Sequence, residues 1–155
     1  KAVVRSDSEF GNVTGLSDFD GMNPKVIAQM GTNFTEYKDQ IPSYEDAVDY
    51  ENVSELFLAI QNSTADVLVT DLATSESALN TMTGLTMLDL DPEDNFVAPE
   101  GASNDCCILF RGGDEECQIV QEAMDEMGWT SDTEEGLQAM NDLMSEMIEL
   151  QPSNN

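Results

Sequence analysis

The stretches Lys25-Val26-Ile27-Ala28-Gln29-Met30-Gly31-Thr32-Asn33-Phe34-Thr35-Glu36-Tyr37 and Ala65-Asp66-Val67-Leu68-Val69-Thr70-Asp71 decide the fold. The first reads as an apolar strand that breaks at Gly31-Thr32 and reopens as a helix. Backbone N–H groups at that helix start point beyond the strand's carboxyl end, which makes a seat for an anion. The second reads as a buried strand, Val67 to Val69, closing on a carboxylate where a parallel sheet places ligand-contacting side chains. Asp71 is a seat for a cation. The candidate ligand-binding residues are therefore Gly31, Thr32, Asn33 and Asp71. An anion seat beside a cation seat suits a zwitterion, of which an α-amino acid is the commonest small example. Each residue also has a structural reading: Gly31 and Thr32 as the turn that begins a helix, and Asp71 as the cap of the next one.

Outward from these stretches, β-branched apolar runs alternate with helical periodicity. Strands are expected near 2–5, 25–29, 46–50, 66–70, 85–88 and 106–110, and helices near 33–40, 52–62 and 73–81. Such alternation implies an α/β fold with a mostly parallel central sheet flanked by helices. Val53, Leu56, Phe57 and Ile60 fall on one stripe of the second helix, which marks the face lying on the sheet. Asp89-Leu90-Asp91-Pro92-Glu93-Asp94-Asn95 lacks the glycine and distal glutamate spacing of a calcium loop and reads as a solvated turn. After Arg111, two helices are expected over 114–127 and 133–150, the second capped by Thr130 or Ser131. The second carries a stripe of Leu137, Met140, Leu143, Met144, Met147 and Ile148 that needs a packing partner.

Composition excludes several classes of function. With 32 acidic and 5 basic residues the formal charge is −27, which disfavours nucleic acid, anionic lipid and phosphate ligands as partners. The acidity itself reads as solvation and solubility. The absence of histidine removes the usual neutral-pH base and the commonest metal ligand. No metal site and no cofactor are expected, and catalysis would have to rely on carboxylates such as Asp71 or Glu76. Cys106, Cys107 and Cys117 are too few and too clustered for a disulfide framework or a zinc site; a bridge from either of the first two to Cys117 requires the following helix to fold back. No signal peptide, lipidation motif or long apolar run occurs in the sequence. Lys1-Ala2-Val3-Val4-Arg5 reads as the middle of a strand without an initiator methionine, so an upstream part is expected.

Taken together, these residues resemble the second lobe of the polar-amino-acid group of periplasmic solute-binding proteins that feed ABC importers, solute-binding protein family 3. In that family a strand ends in Gly-Thr and a polar residue, as in Gln29-Met30-Gly31-Thr32-Asn33. A later Ala-Asp-Ala-hydrophobic-hydrophobic-x-Asp segment is matched by Ala65 to Asp71. A short helical turn before the strand is matched by Leu16-Ser17-Asp18-Phe19-Asp20-Gly21, and Cys106-Cys107-Ile108-Leu109-Phe110-Arg111-Gly112-Gly113-Asp114 resembles the strand returning to the first lobe. Arg111-Gly112-Gly113-Asp114-Glu115-Glu116 also resembles the diguanylate cyclase signature, but that domain's upstream metal-binding acids do not precede it.

The resemblance implies a type II periplasmic-binding-protein-like lobe over 1–111, a C-terminal helical segment over 112–155, and a first lobe that is absent from the chain. It implies that Thr32 and Asn33 receive the α-carboxylate of a free amino acid and that Asp71 accepts hydrogen bonds from its α-ammonium. The implied function is solute binding and delivery to a membrane permease, without enzymatic activity, in the periplasm or as a lipoprotein on the outer face of the cell membrane. A ligand-sensing domain of a signalling protein is the alternative. The family's carboxylate-clamping arginine belongs to the other lobe, and neither Arg5 nor Arg111 stands at its place. Because the final helices of the family pack on that other lobe, a homodimer through the C-terminal helices is a further expectation.

Overall fold

The fold is that of a computed structural model describing residues 1–99, 116–129 and 133–150. Five strands form one sheet: β1 (Ala2–Arg5), β2 (Lys25–Ala28), β3 (Glu45–Asp46), β4 (Val67–Val69) and β5 (Leu85–Met87), in the order β3-β2-β4-β1-β5. β2 pairs in parallel with β3 and β4, with Val26 opposite Val67 and Ala28 opposite Val69. β1 runs antiparallel to both β4 and β5. Four strands thus share one direction and β1 opposes them, so the mostly parallel sheet carries one reversed strand. The expected strand over 106–110 lies outside the described residues.

Period-two alternation sends side chains to two separate cores. Ala2, Val4, Val26, Val67 and Val69 pack with Phe10, Phe19, Tyr37 and Ile41 on one face. Val3, Ile27 and Leu68 pack with Leu56, Phe57 and Ile60 on the other. The first face is covered by two 3-10 turns, Glu9–Asn12 and Leu16–Phe19, and by α1 (Phe34–Lys38). The second is covered by α2 (Val53–Gln61) and by Ala78, Leu79 and Met82 in and just after α3 (Leu72–Thr81). The expected α2 stripe is the buried one, and Asn52 caps that helix by accepting from the Ser54 amide at 2.8 Å.

Three local expectations are corrected. The strand expected over 46–50 is only Glu45–Asp46 with a single bridge from Gln29 to Tyr50, because the Asp49 carboxylate takes the Ala28 N–H at 2.7 Å and displaces the main-chain ladder. The acids of 89–95 do more than face solvent. Asp94 accepts from the Ser17 amide at 3.0 Å and the Ser17 hydroxyl at 2.5 Å, and so holds the start of a 3-10 turn. At the other end of that segment, Gln40 exchanges two hydrogen bonds with the backbone of Val97. The last helix is capped by Thr133, whose hydroxyl accepts from the Gly136 amide at 3.1 Å, in place of Thr130 or Ser131, which lie outside the described residues.

The chain divides into two compact units, the second spanning Ser103–Pro152. Within the second, α4 (Glu116–Glu126) and α5 (Glu134–Glu149) are amphipathic, with Ile119, Leu137 and Met147 exposed. Cys117 is an exposed free thiol on α4; Cys106 and Cys107 lie outside the described residues. No helix among the described residues is long and apolar enough to cross a membrane.

Candidate functional site

The loops that follow β2 and β4 leave in opposite directions across the sheet. β2 runs through α1 to β3 on one side, whereas β4 runs through α3 to β5 on the other, past the reversed β1. The boundary between β2 and β4 is therefore a topological switch point, the place where open α/β sheets receive ligands beyond the carboxyl ends of their strands. Both predicted stretches lie there. Gly31, Thr32 and Asn33 begin three residues beyond the end of β2, and Asp71 lies two residues beyond the end of β4. Parallel pairing of Ala28 with Val69 puts them at one edge of the sheet.

The anion side differs from its expected form. Gly31 adopts φ 77°, a left-handed conformation that lets the chain turn sharply out of β2. However, α1 has only five residues, so it contributes little macrodipole. Thr32 is engaged inward: its hydroxyl donates to the Gln29 carbonyl at 2.7 Å, its amide donates to the same oxygen at 3.3 Å, and its oxygen accepts from the Phe34 amide at 3.3 Å. To donate to a ligand carboxylate, this hydroxyl must rotate off Gln29. Asn33 is the N-cap residue of α1 but caps it through no side-chain hydrogen bond.

On the cation side, Asp71 takes the structural role that its sequence context allowed. It is the N-cap of α3: one carboxylate oxygen accepts from the Thr74 amide and the other from the Thr74 hydroxyl, both at 2.7 Å. Its carbonyl accepts from the fully buried Ser75 hydroxyl at 2.7 Å. An ionised carboxylate offers about four acceptor positions, so two stay open to an ammonium. Asp71 is half-buried, which limits screening without removing access.

The sequence reading missed the residues that hold this edge. Lys38, only 5% exposed, places Nζ 2.9 and 3.0 Å from the two Asp49 oxygens and 3.0 Å from Asp46. Burial works against its charge, but the hydrogen bonds that it donates to Asp49 and Asp46, with the attraction of their charges, outweigh burial and hold the ammonium pKa above its ordinary value. A signal was present: Lys38 follows Phe34 by four residues and adjoins Tyr37, so it falls on the apolar stripe of α1. A lysine on such a stripe needs an acidic partner within the fold. Arg5, at the end of β1, is paired with Asp7 and Ser63 instead of standing at the switch point. No group of three or more metal-ligating side chains occurs among the described residues.

No family model and no curated protein matches the sequence. Among solved structures, the substrate-binding protein of an amino acid ABC transporter is similar over 97% of this chain and 58% of its own, with TM-score 0.59 and 19% identity. The arginine-bound amino acid ABC transporter substrate-binding protein AbpA from Streptococcus pneumoniae is similar over 96% of this chain and 56% of its own, with TM-score 0.61 and 14% identity. An ancestral cationic amino acid solute-binding protein is similar over 96% and 55%, with TM-score 0.59 and 18% identity. These likenesses lend no support to a homodimer through the C-terminal helices. The chain spans a little over half the length of these structures and has the fold of a type II periplasmic-binding-protein lobe, as found in amino acid substrate-binding proteins.

Proposed function

We propose that this chain is one lobe of a solute-binding protein that takes up a free α-amino acid outside the cytoplasmic membrane and delivers it to the permease of an ABC importer. The observation that supports the reading is the placement of the Gly31–Asn33 turn and Asp71 beyond the carboxyl ends of two adjacent parallel strands, at a topological switch point. The turn receives the α-carboxylate through loop amides and the Thr32 hydroxyl, and Asp71 receives the α-ammonium on its open acceptor positions. Charge-assisted hydrogen bonds of this kind are each worth roughly 1.5–3 kcal/mol when shielded from water. Two or three of them, less the cost of association, support binding near the millimolar level, about 4 kcal/mol. A facing lobe that closes over the ligand supplies the rest of the affinity and reads the side chain. The proposed role is binding, with Asp71 serving also as the cap of α3.

A thermal-shift screen against the common L-amino acids tests this reading. At about 10 mM ligand and a dissociation constant of about 1 mM, linkage stabilises the fold by about 1.4 kcal/mol, a rise of roughly 3 °C for a chain of this size. At least one amino acid is expected to produce it. A flat midpoint across the whole panel contradicts the proposal.

A further inference from the structure

The Gly31–Asn33 turn is held locally by Thr32, whose hydroxyl and amide both donate to the Gln29 carbonyl. The position a Cβ would take on Gly31 meets nothing within 4 Å, and the five-residue α1 is far too short to persist by its own hydrogen bonds. Besides these local bonds and the packing of Phe34 and Tyr37 on the core, contacts at its two ends bear on its direction. Both ends converge on one side chain. Upstream, the Ala28 amide donates to Asp49 Oδ1 at 2.7 Å; downstream, Lys38 Nζ donates to the same oxygen at 3.0 Å and to Oδ2 at 2.9 Å. The flanking bonds from Met30 N to the Tyr50 carbonyl (2.9 Å) and from Gln29 Nε2 to the Glu51 carbonyl (3.1 Å) lay residues 49–51 along the root of the turn. The Lys38 and Asp49 side chains are only 6% and 16% exposed, so water competes poorly for this bond.

We infer that Lys38 and Asp49 are positioning residues: a buried clasp closes the excursion from Ala28 to Lys38 into a ring and fixes the angle at which the Gly31–Asn33 turn leaves β2. The inference rests on the reading of that turn as a ligand seat. Binding groups lose affinity when their supporting contacts leave them loose. The clasp explains why a lysine is buried here, since it joins α1, β2 and the chain after β3 through a single carboxylate.

Native-state hydrogen exchange of the 155-residue chain tests it without any ligand. The measured quantity is the exchange rate of the Met30 and Thr32 amides relative to that of Leu68 in the middle of β4. Lys38→Met is expected to raise this ratio by about tenfold, Lys38→Arg to bring it back within about threefold of wild type, and Ile60→Val, on the far face of the sheet, to leave it unchanged. Should Lys38→Met fail to fold, Asp49→Asn keeps the shape and an acceptor while losing the charge, and is expected to raise the same ratio. An unchanged ratio in the folded clasp variant, or an equal rise in Ile60→Val, overturns the inference. Calorimetric titration with each common L-amino acid then separates the two readings. Where wild type binds, Lys38→Met is expected to weaken binding about tenfold. Where wild type binds none, the ligand seat falls, and the exchange ratio alone still decides the clasp.

Discussion

Asp71 is both a helix cap and the proposed ammonium seat, and two substitutions separate these roles. Asp71→Ala removes the acceptor for the Thr74 amide, now at 2.7 Å, together with the bond from the Thr74 hydroxyl. Loss of such a cap costs about 0.5–2 kcal/mol. Asp71→Ser keeps a good N-cap at a residue whose φ of −78° and ψ of 168° suit one, and forgoes the interaction of the charge with the helix start and the second oxygen that accepts from the Thr74 hydroxyl. The charge interaction is worth about 0.3–1 kcal/mol at low salt, and less at physiological ionic strength. Chemical denaturation should therefore rank wild type, Asp71→Ser and Asp71→Ala in descending order, the last pair separated by about 1 kcal/mol. Binding should not follow that order. Both variants lose the carboxylate, and removal of a charge-assisted bond worth about 1.5–3 kcal/mol weakens an amino acid by about 10- to 150-fold. Calorimetric titration beside the denaturation curves measures both quantities. If Asp71→Ser binds as tightly as wild type, Asp71 is a cap alone and the ammonium seat lies elsewhere.

Gly31→Ala should destabilise by about 1–2 kcal/mol through backbone strain alone, since φ is 77° and the added methyl meets open space; a urea midpoint equal to wild type would mean that the turn relaxes to another conformation. Lys38 and Tyr44 both have pKa values raised above their ordinary 10.5 and 10.0, Lys38 through Asp49 and Asp46 against its burial, and Tyr44 mainly through its hydroxyl's bond to Asp39. Their folded forms hold protons more tightly than the unfolded chain, so their stabilisation is complete below the unfolded values and is lost as pH rises through the folded ones. The urea midpoint should accordingly fall as pH rises above about 10.5, the ordinary lysine value. Lys38→Met should remove most of that alkaline fall, and an undiminished fall would assign it to other groups.

Much of the fold was legible because strands buried on both faces have few alternatives. Val26-Ile27-Ala28 and Val67-Leu68-Val69 have no polar side chain to turn outward, and this fixed them as central strands. The 3-10 turn at Leu16–Phe19 was expected only from the family resemblance of the segment before β2. Direction was not: Ala2-Val3-Val4 is as apolar as β4, and nothing in a strand's own residues states that it opposes its neighbours. The strand expected over 46–50 was drawn too long for a different reason, because Asp49 bonds the backbone through its side chain and a period-two pattern is blind to such a substitution. At the site, residue types and order were legible, while their engagement was not. That Thr32 turns its hydroxyl onto Gln29 depends on the left-handed Gly31, and the burial of Lys38 depends on two carboxylates 8 and 11 residues away in sequence. The first is a contact local to the turn, and tertiary contacts set the second.

The central claim is that the switch point at the ends of β2 and β4 recognises the two charged ends of an α-amino acid. The most direct measurement is an amide chemical-shift titration with the amino acid that most raises the thermal midpoint, repeated with its N-acetyl and its carboxamide derivatives. The account predicts saturable shifts confined to Gly31–Asn33 and Asp71–Thr74 with the free amino acid, and none with either blocked form at the same concentration. Equal shifts with the blocked forms, or shifts centred away from these two loops, would contradict it.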